Sequence, residues 1–332
     1  MIIGPKDYCK FKVKTFYGHT DEVNCVAFSP DFKLIVTGSD DKIVRIFNTT
    51  TCELLYEVEG HQGAIRCVAV SPDNEFIASG SYDKAIQLWR ISDANFYNKL
   101  LGHTKSVEVV IFSPDSNLLC SGSWDRLAIV WNIELCQAII LLTGHNGLVQ
   151  SAAFSATTKW IATGSWDFSI RIWNLDEESS KENASNMSQL SRSDLRKKKN
   201  LKADIFPLKP KPNHLLQKHK GNVHTVAFSG NDVLASGSWD KTVCLWDPLK
   251  GQLLHCLQGH DGWVQVVAFS HDNLYVASAC EDDTIRIWVV ENGKCCKVLA
   301  TKTETVQLCV FTPHGTLVTS GTNSATSSCH TH

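Results

Sequence analysis

The chain has no excess of charge of either sign: 32 Lys and Arg stand against 34 Asp and Glu, a formal net charge of -2 in 332 residues. That excludes a global electrostatic pull toward nucleic acid or an anionic membrane. Long apolar runs are missing too. They stay as short as Ala138 to Leu142, against the roughly 20 residues that a membrane-spanning helix needs. The N-terminal MIIGPKDYCK has no apolar core of the signal-peptide kind. Cysteine is not scarce, at 13, but a chain of this length does not resemble a small disulfide framework. Cys25, Cys67, Cys120, Cys244 and Cys309 sit inside apolar runs, where a free thiol behaves as a small hydrophobe. The expectation is an intracellular protein of a reducing compartment, in the cytoplasm first and the nucleus second, with no membrane or nucleic-acid partner.

What is present is a repeat. The stretch Gly102 to Trp131 reads GHTKSVEVVIFSPDSNLLCSGSWDRLAIVW. Its apolar residues alternate between turns rich in Pro, Gly, Asn and Asp, the mark of short antiparallel strands. Gly-His recurs at 18–19, 60–61, 102–103, 144–145 and 259–260, the first three steps being 42 residues each. From His61, the offsets 18, 22 and 28 reach Ser79, Asp83 and Trp89. They give Ser121, Asp125 and Trp131 from His103, then Thr163, Asp167 and Trp173 from His145. From His260 they give Ser278, Asp282 and Trp288. The fifth unit starts at Lys218-His219, and Ser236, Asp240 and Trp246 arrive one residue early. The first unit has His19, Thr37 and Asp41, with Phe47 in the Trp slot. A seventh is decayed: Phe311-Thr312-Pro313 sets the register, leaving Lys302, Ser324 and His330 in the His, Asp and Trp slots. Each unit carries four short strands and cannot bury its apolar faces alone.

The Gly-His, Ser-Gly-Ser-x-Asp and strand-ending Trp pattern, six times in register, resembles the WD-repeat family. The resemblance implies an all-β fold, a seven-bladed β-propeller of four-stranded antiparallel blades with a degenerate seventh blade. It also implies ring closure by the N-terminal strand, residues 8–17, as the outermost strand of the last blade. The residues agree, since the chain begins with an unpartnered strand and ends one strand short. Residues 1–332 then form a single domain. One segment breaks the period, since His145 to His219 spans 74 residues, 32 more than 42. The excess, 176–213, is rich in Ser, Asn, Lys and Glu and then in Pro, and is expected to be a disordered insertion in the fourth repeat. By resemblance it leaves between a blade's third and fourth strands, on the bottom rim.

The recurrent His, Ser or Thr, Asp and Trp invite a catalytic reading, but a hydrolase needs one triad beside one pocket. Repetition at fixed offset means a structural task done once per blade. Buried indole, hydroxyl, imidazole and carboxylate groups can satisfy one another in a chain. The expected networks are His61, Ser79, Asp83 and Trp89; His103, Ser121, Asp125 and Trp131; and His145, Thr163, Asp167 and Trp173. His219, Ser236, Asp240 and Trp246, with His260, Ser278, Asp282 and Trp288, complete them. Between Ser and Asp stand Asp40, Tyr82, Trp124, Trp166, Trp239 and Glu281. In the family this slot projects from the narrow top face. A core position would not accept Asp40 and Glu281 in sister blades, and exposed Trp and Tyr have the composition of a binding hot spot. Three and five residues after each His lie further top-face slots. Among them Trp263 extends the aromatic surface, and Arg66, Glu108, Gln150, His224 and Gln265 supply polarity.

The sequence therefore reads as a non-enzymatic scaffold, a monomer within a larger complex, binding other proteins or peptide segments on its top face. A substrate-recognition subunit of a ubiquitin ligase is the narrower alternative, although no adaptor-docking domain is recognisable. An enzyme with a central-channel site is the other-class alternative, with Glu108 or His224 as its nearest acid–base group. No cofactor is expected. No metal is expected either: Cys329-His330-Thr331-His332 has no second cluster, and Cys295 and Cys296 are adjacent on one strand. Arg196-Lys197-Lys198-Lys199 reads as a solvated basic run. With Phe47 unable to donate and the last unit lacking the set, the seam between units seven and one should be weakest. Amide exchange should be faster in the seventh unit than in the third, and equal protection would refute this.

Overall fold

The computed structural model of the chain describes residues 12–175, 207–300, 305–312, 317–323 and 326–331. Every helix or strand among them is a strand, β1 to β28, and the strands form four-stranded antiparallel sheets. β1 (Lys12–Phe16) precedes the first complete sheet. Blade 1 is β2 (Val23–Phe28), β3 (Leu34–Ser39), β4 (Ile43–Asn48) and β5 (Leu54–Glu59). Blade 2 is β6 (Ile65–Val70), β7 (Phe76–Ser81), β8 (Ala85–Arg90) and β9 (Phe96–Leu101). Blade 3 is β10 (Val107–Phe112), β11 (Leu118–Ser123), β12 (Ala128–Asn132) and β13 (Gln137–Leu142). Blade 4 is β14 (Val149–Phe154), β15 (Trp160–Ser165), β16 (Ser169–Asn174) and β17 (His214–Gln217). Blade 5 is β18 (Val223–Phe228), β19 (Leu234–Ser238), β20 (Val243–Asp247) and β21 (Gln252–Leu257). Blade 6 is β22 (Val264–Phe269), β23 (Tyr275–Cys280), β24 (Thr284–Val289) and β25 (Cys295–Ala300). The last sheet is β26 (Thr305–Phe311), β27 (Leu317–Asn323) and β28 (Thr326–Thr331), with β1 added at its outer edge.

First strands of successive sheets contact one another, from β2 and β6 through to β22 and β26, and β26 also contacts β2. Each sheet stands with its first strand toward a shared axis and its fourth at the rim, the arrangement of a β-propeller. β1 runs antiparallel to β28, from Lys12 opposite Thr331 to Phe16 opposite Ser327. Phe16 is buried against Phe47, their ring centroids 5.5 Å apart, and shares a core cluster with Val318. The degenerate slots at Lys302 and Ser324, and the side chain of His330, lie outside the described residues.

Burial explains the strand sequences. Second and third strands such as FIASGS and AIQLWR are buried on nearly every residue because both sheet faces meet a neighbouring blade. Fourth strands are exposed at the rim, where LLYEVE keeps only Val58 buried. The Gly of Ser-Gly-Ser has its own reason. A Cβ on Gly122 would stand 2.7 Å from Cγ1 of Val149 and 2.9 Å from its carbonyl oxygen, on the first strand of the next blade. Ile65, Val107, Val223 and Val264 press equally close on Gly38, Gly80, Gly164 and Gly237. The absent side chain lets adjacent sheets close on each other.

Most of the insertion, residues 176–206, lies outside the described residues. Its end differs from the expected disordered stretch. Leu208 forms a parallel bridge with Ile140, accepting from the Leu141 N–H at 2.6 Å and donating to the Ile139 carbonyl at 2.9 Å. Asn213 donates to the Ile172 carbonyl and accepts from the Asn174 N–H, both at 2.8 Å. The composition around Leu208 hides its pairing because those contacts use backbone groups on the open edge of β13, while Asn213 bonds to β16.

Gly122→Ala tests the close packing. Gly to Ala at an open site stabilises by roughly 0.4–1 kcal/mol through the unfolded chain. Here overpacking should reverse the sign and cost about 1–3 kcal/mol. Urea unfolding should show a lower midpoint with unchanged slope, and a raised midpoint would contradict the account.

Candidate functional site

In blade 3 the second and third strands are joined through Trp124-Asp125-Arg126, and the Asp125 carboxylate holds this turn. Its Oδ2 accepts from the His103 ring and the Thr104 N–H, each at 2.9 Å, and Oδ1 accepts from the Leu127 N–H at 3.1 Å. Ser123 Oγ accepts from the Asp125 N–H at 3.1 Å and donates to the Lys105 carbonyl at 3.2 Å. Trp131 Nε1–H donates to Ser121 Oγ at 2.8 Å, and that hydroxyl donates in turn to His103 Nε2 at 2.8 Å. Counting donors along this chain places the imidazole proton on Nδ1, facing Asp125. Trp124 is therefore held between two residues whose side-chain polar groups are all engaged.

The same chain joins His61, Ser79, Asp83 and Trp89 in blade 2, with Trp89 donating to Ser79 at 3.1 Å. It joins His145, Thr163, Asp167 and Trp173 in blade 4. His219, Ser236, Asp240 and Trp246 repeat it in blade 5, and His260, Ser278, Asp282 and Trp288 in blade 6. Blade 1 keeps His19 at 2.7 Å from Thr37 and 2.8 Å from Asp41, but Phe47 contributes no donor. Arg45 enters instead, bonded to Asp41 at 2.6 Å and to Glu57 at 2.7 Å. Its side chain is only 4% exposed, so blade 1 substitutes a buried ion pair for an indole.

Electrostatics follow from burial. Burial lowers the pKa of His61 and of His260 below the ordinary imidazole value, against the pull of their aspartates. Burial would raise the Asp83 carboxyl, but the Gln62 N–H and the His61 ring outweigh it and the pKa falls. Asp41 is drawn down to about 2 because its bonds to Arg45 and His19 override burial. His260, Cys280 and Asp282 bring three ligand-type atoms within 4.8 Å of one another. Their His and Asp are the blade's ordinary pair, and Cys280 takes the place of Ser123, accepting from the Asp282 N–H at 3.4 Å. That geometry is explained by the turn.

On the top face the two kinds of slot are joined directly. Trp124 N–H donates to the Ser106 carbonyl, Trp166 to Leu148, Trp239 to Asn222, and Glu281 to Trp263, at 3.0–3.1 Å. Tyr82 and Asp40 do the same toward Ala64 and Glu22 at 2.9 Å. The aromatic rings then meet across blades. Trp124 and Trp166 have centroids 5.5 Å apart, Trp166 and Trp239 5.2 Å, and Trp239 stacks on Trp263 at 4.3 Å with only 9° between planes. His224 stacks on Trp239 at 6.3 Å. The arc expected from Tyr82 to Trp263 is thus a ladder from Trp124 to Trp263. Tyr82, 69% exposed, stands beside it without a ring contact. The ladder's ends are open, at 45% for Trp124 and 41% for Trp263, and its middle is half-buried. The indole N–H groups of Trp166 and Trp239 are buried without an acceptor, at a cost of about 1–3 kcal/mol each.

The polar slots are more engaged than their composition suggests. Arg66 reaches Glu108 at 3.5 Å and Asn24 at 3.2 Å, and Glu108 also accepts from Ser106 Oγ at 2.6 Å. His224 Nδ1–H donates to the Gln265 carbonyl at 3.0 Å, and its pKa is lowered by burial. Gln265 donates to Glu281 at 2.6 Å, while Gln150 is half-buried at the equivalent place on β14. Sequence reasoning passed over the residue after each turn Asp. Lys42, Lys84, Arg126, Phe168, Lys241 and Asp283 all have positive φ and all are exposed. Their recurrence one place after Asp was the available signal.

A family model described as WD domain, G-beta repeat matches residues 10–48, 52–90, 95–132, 136–174, 210–247 and 251–289. Each match takes one strand at the rim together with the first three strands of the following blade, so the sequence repeat and the sheet are staggered by a strand. A search of curated proteins finds no match.

The networks predict a pH dependence. Folded His61 and His260 resist protonation, whereas the unfolded chain takes up protons near 6.5. Stability should therefore fall as pH drops below 6.5, and fall again below 3.8 as carboxylates held low in the fold, such as Asp41, become protonated on unfolding. Urea midpoints at pH 7.5, 5.5 and 3.5 check this, and a higher midpoint at 5.5 than at 7.5 would be inconsistent with it.

Proposed function

The chain belongs to the WD domain, G-beta repeat family, and from that premise we propose that it binds a partner protein or peptide segment on its top face, along the Trp ladder. The family's repeats mark a protein–protein interaction scaffold, and propellers of this family are generally non-enzymatic. The observation that carries the finer reading is the ladder itself. Four Trp side chains from blades 3 to 6 form one aromatic surface, open at both ends, on turns that the Asp networks hold rigid. Rigid, partly exposed Trp is the typical anchor of an interface, and it loses little conformational entropy on binding.

Non-enzymatic action fits the central polar residues. Glu108 is shared between Arg66 and Ser106, and His224 is committed to the Gln265 carbonyl and the face of Trp239. His224 has no nucleophile among these partners, and the Ser106 hydroxyl on Glu108 is buried, with the carboxylate shared with Arg66. We read the chain as a monomer acting inside a larger complex in the cytoplasm. Within the family, Ile161–Asp167 and Leu234–Thr242 carry our reading that it is similar to WD repeat-containing protein 38.

Trp124→Ala with Trp263→Ala tests the assignment. Truncating hot-spot residues costs about 2 kcal/mol or more, roughly 30-fold in affinity. Proximity labelling in cells should lose its strongest neighbours in the double variant, while the thermal unfolding midpoint falls only by the few degrees that two lost ring contacts cost. Unchanged labelling with a folded variant would rule out the ladder as the binding surface.

A further inference from the structure

Over blades 3 to 5 the top face offers positive charge, with its carboxylates already used. The turns that carry Trp124 and Trp239 also carry Arg126 and Lys241, both exposed. Lys105 and Lys220, likewise exposed, stand two residues and one residue after His103 and His219. None of these four cations has an ion-pair partner among the described residues. The carboxylates of the same blades are spent: Asp125, Asp167 and Asp240 on His rings and backbone N–H groups, Glu108 on Ser106 and Arg66.

The sign reverses on one neighbouring blade. Blade 6 presents exposed Asp261, Glu281 and Asp283, whereas blade 2 presents exposed Lys84, and blade 1 beyond it exposed Asp21, Glu22 and Lys42 with half-buried Asp40. The top face is thus split between a cationic, aromatic sector and an anionic one, although the chain as a whole is nearly neutral. Interfaces select partners by complementary potential more than by area.

We propose that blades 3 to 5 bind an acidic protein segment, its apolar residue seated on the Trp ladder and its carboxylates among Lys105, Arg126, Lys220 and Lys241. This rests on the top-face reading above and adds the chemistry of the partner. The anionic residues of blade 6 repel the acidic part and fix the direction in which the segment lies. A nucleic acid is also anionic and also stacks on aromatic rings, but it fits less well. The stacked faces of Trp239 and Trp263 are filled by each other at 4.3 Å, and the adjoining anionic sector interrupts any continuous phosphate track.

The test is a selection of random dodecapeptides displayed on phage against the full chain, followed by fluorescence anisotropy of the enriched peptides. Acidic peptides containing an aromatic or aliphatic residue are expected. Their affinity should fall at least tenfold when Lys105, Arg126, Lys220 and Lys241 are each changed to Glu, and should fall with added salt. Glu281→Lys combined with Asp283→Lys should tighten binding, a gain that misfolding does not produce. Neutral or basic peptides that ignore the charge reversal but are lost with Trp124→Ala and Trp263→Ala would overturn the acidic assignment and leave the top-face reading standing. Peptides indifferent to the Trp changes, or an empty selection, would overturn both. A mixed-sequence single-stranded oligonucleotide binding more tightly than the peptides, with the same dependence on the four cations, would overturn the choice of a protein partner.

Discussion

In blades 1 to 6 one carboxylate holds the turn between the second and third strands in place. A buried carboxylate is costly unless its oxygens are filled. In blades 2 to 6 the turn Asp fills them in one way, with the His Nδ1–H, the N–H of the residue after that His, and the N–H two places beyond itself. One side chain thereby ties the turn between the second and third strands to the connection that leads into the first. The Trp Nε1–H and Ser hydroxyl extend the tie into the core, where His and Trp are buried and cannot exchange their partners for water. The residues carried on those two connections, including every rung of the aromatic ladder, inherit that rigidity.

Blade 1 shows how the constraint survives loss of a member. Phe47 fills the volume of the indole and packs on Phe16, but leaves Thr37 without its donor. Arg45, two residues earlier on β4, lies beneath His19 and brings a second donor to Asp41. Glu57, half exposed at the rim, balances the added charge. Buried ion pairs repay their desolvation only when the geometry is good and the remaining groups are bonded, and here Nε and Nη1 both have partners. Arg171 and Arg286 occupy the same place in blades 4 and 6, where the indole is retained. A Cβ on Gly144 or Gly259, both at positive φ, would stand within 3 Å of those guanidinium groups.

The fold was legible in the sequence because its determinants are local and repeated. Strand alternation, the Ser-Pro-Asp turns and the fixed offsets from His to Trp are properties of one blade, so six copies reinforced one another. The site was legible only in part. The x slot was found because acidic and aromatic residues share it, which argues for exposure. The ring contacts could not be found in the same way, since Trp239 and Trp263 belong to different slots of different blades and stack only once the blades are set side by side. Arg66 was read as one polar slot among several, but Asn24 and Glu108, each 42 residues away, engage it from both neighbouring blades. Leu208 escaped because backbone pairing leaves no trace in composition.

The ladder also bears on the balance between stability and use. Its rings join blades 3, 4, 5 and 6 at the top, above core clusters drawn from all four strands of one blade and the first three of the next. Aromatic pairs of this geometry contribute about 0.5–1.5 kcal/mol each beyond the area they bury. Two of the same indoles withhold a buried N–H from any acceptor, which works in the opposite direction. The middle rungs therefore add less to stability than their ring contacts alone would give, whereas Trp124 and Trp263, exposed at the ends, carry no such penalty.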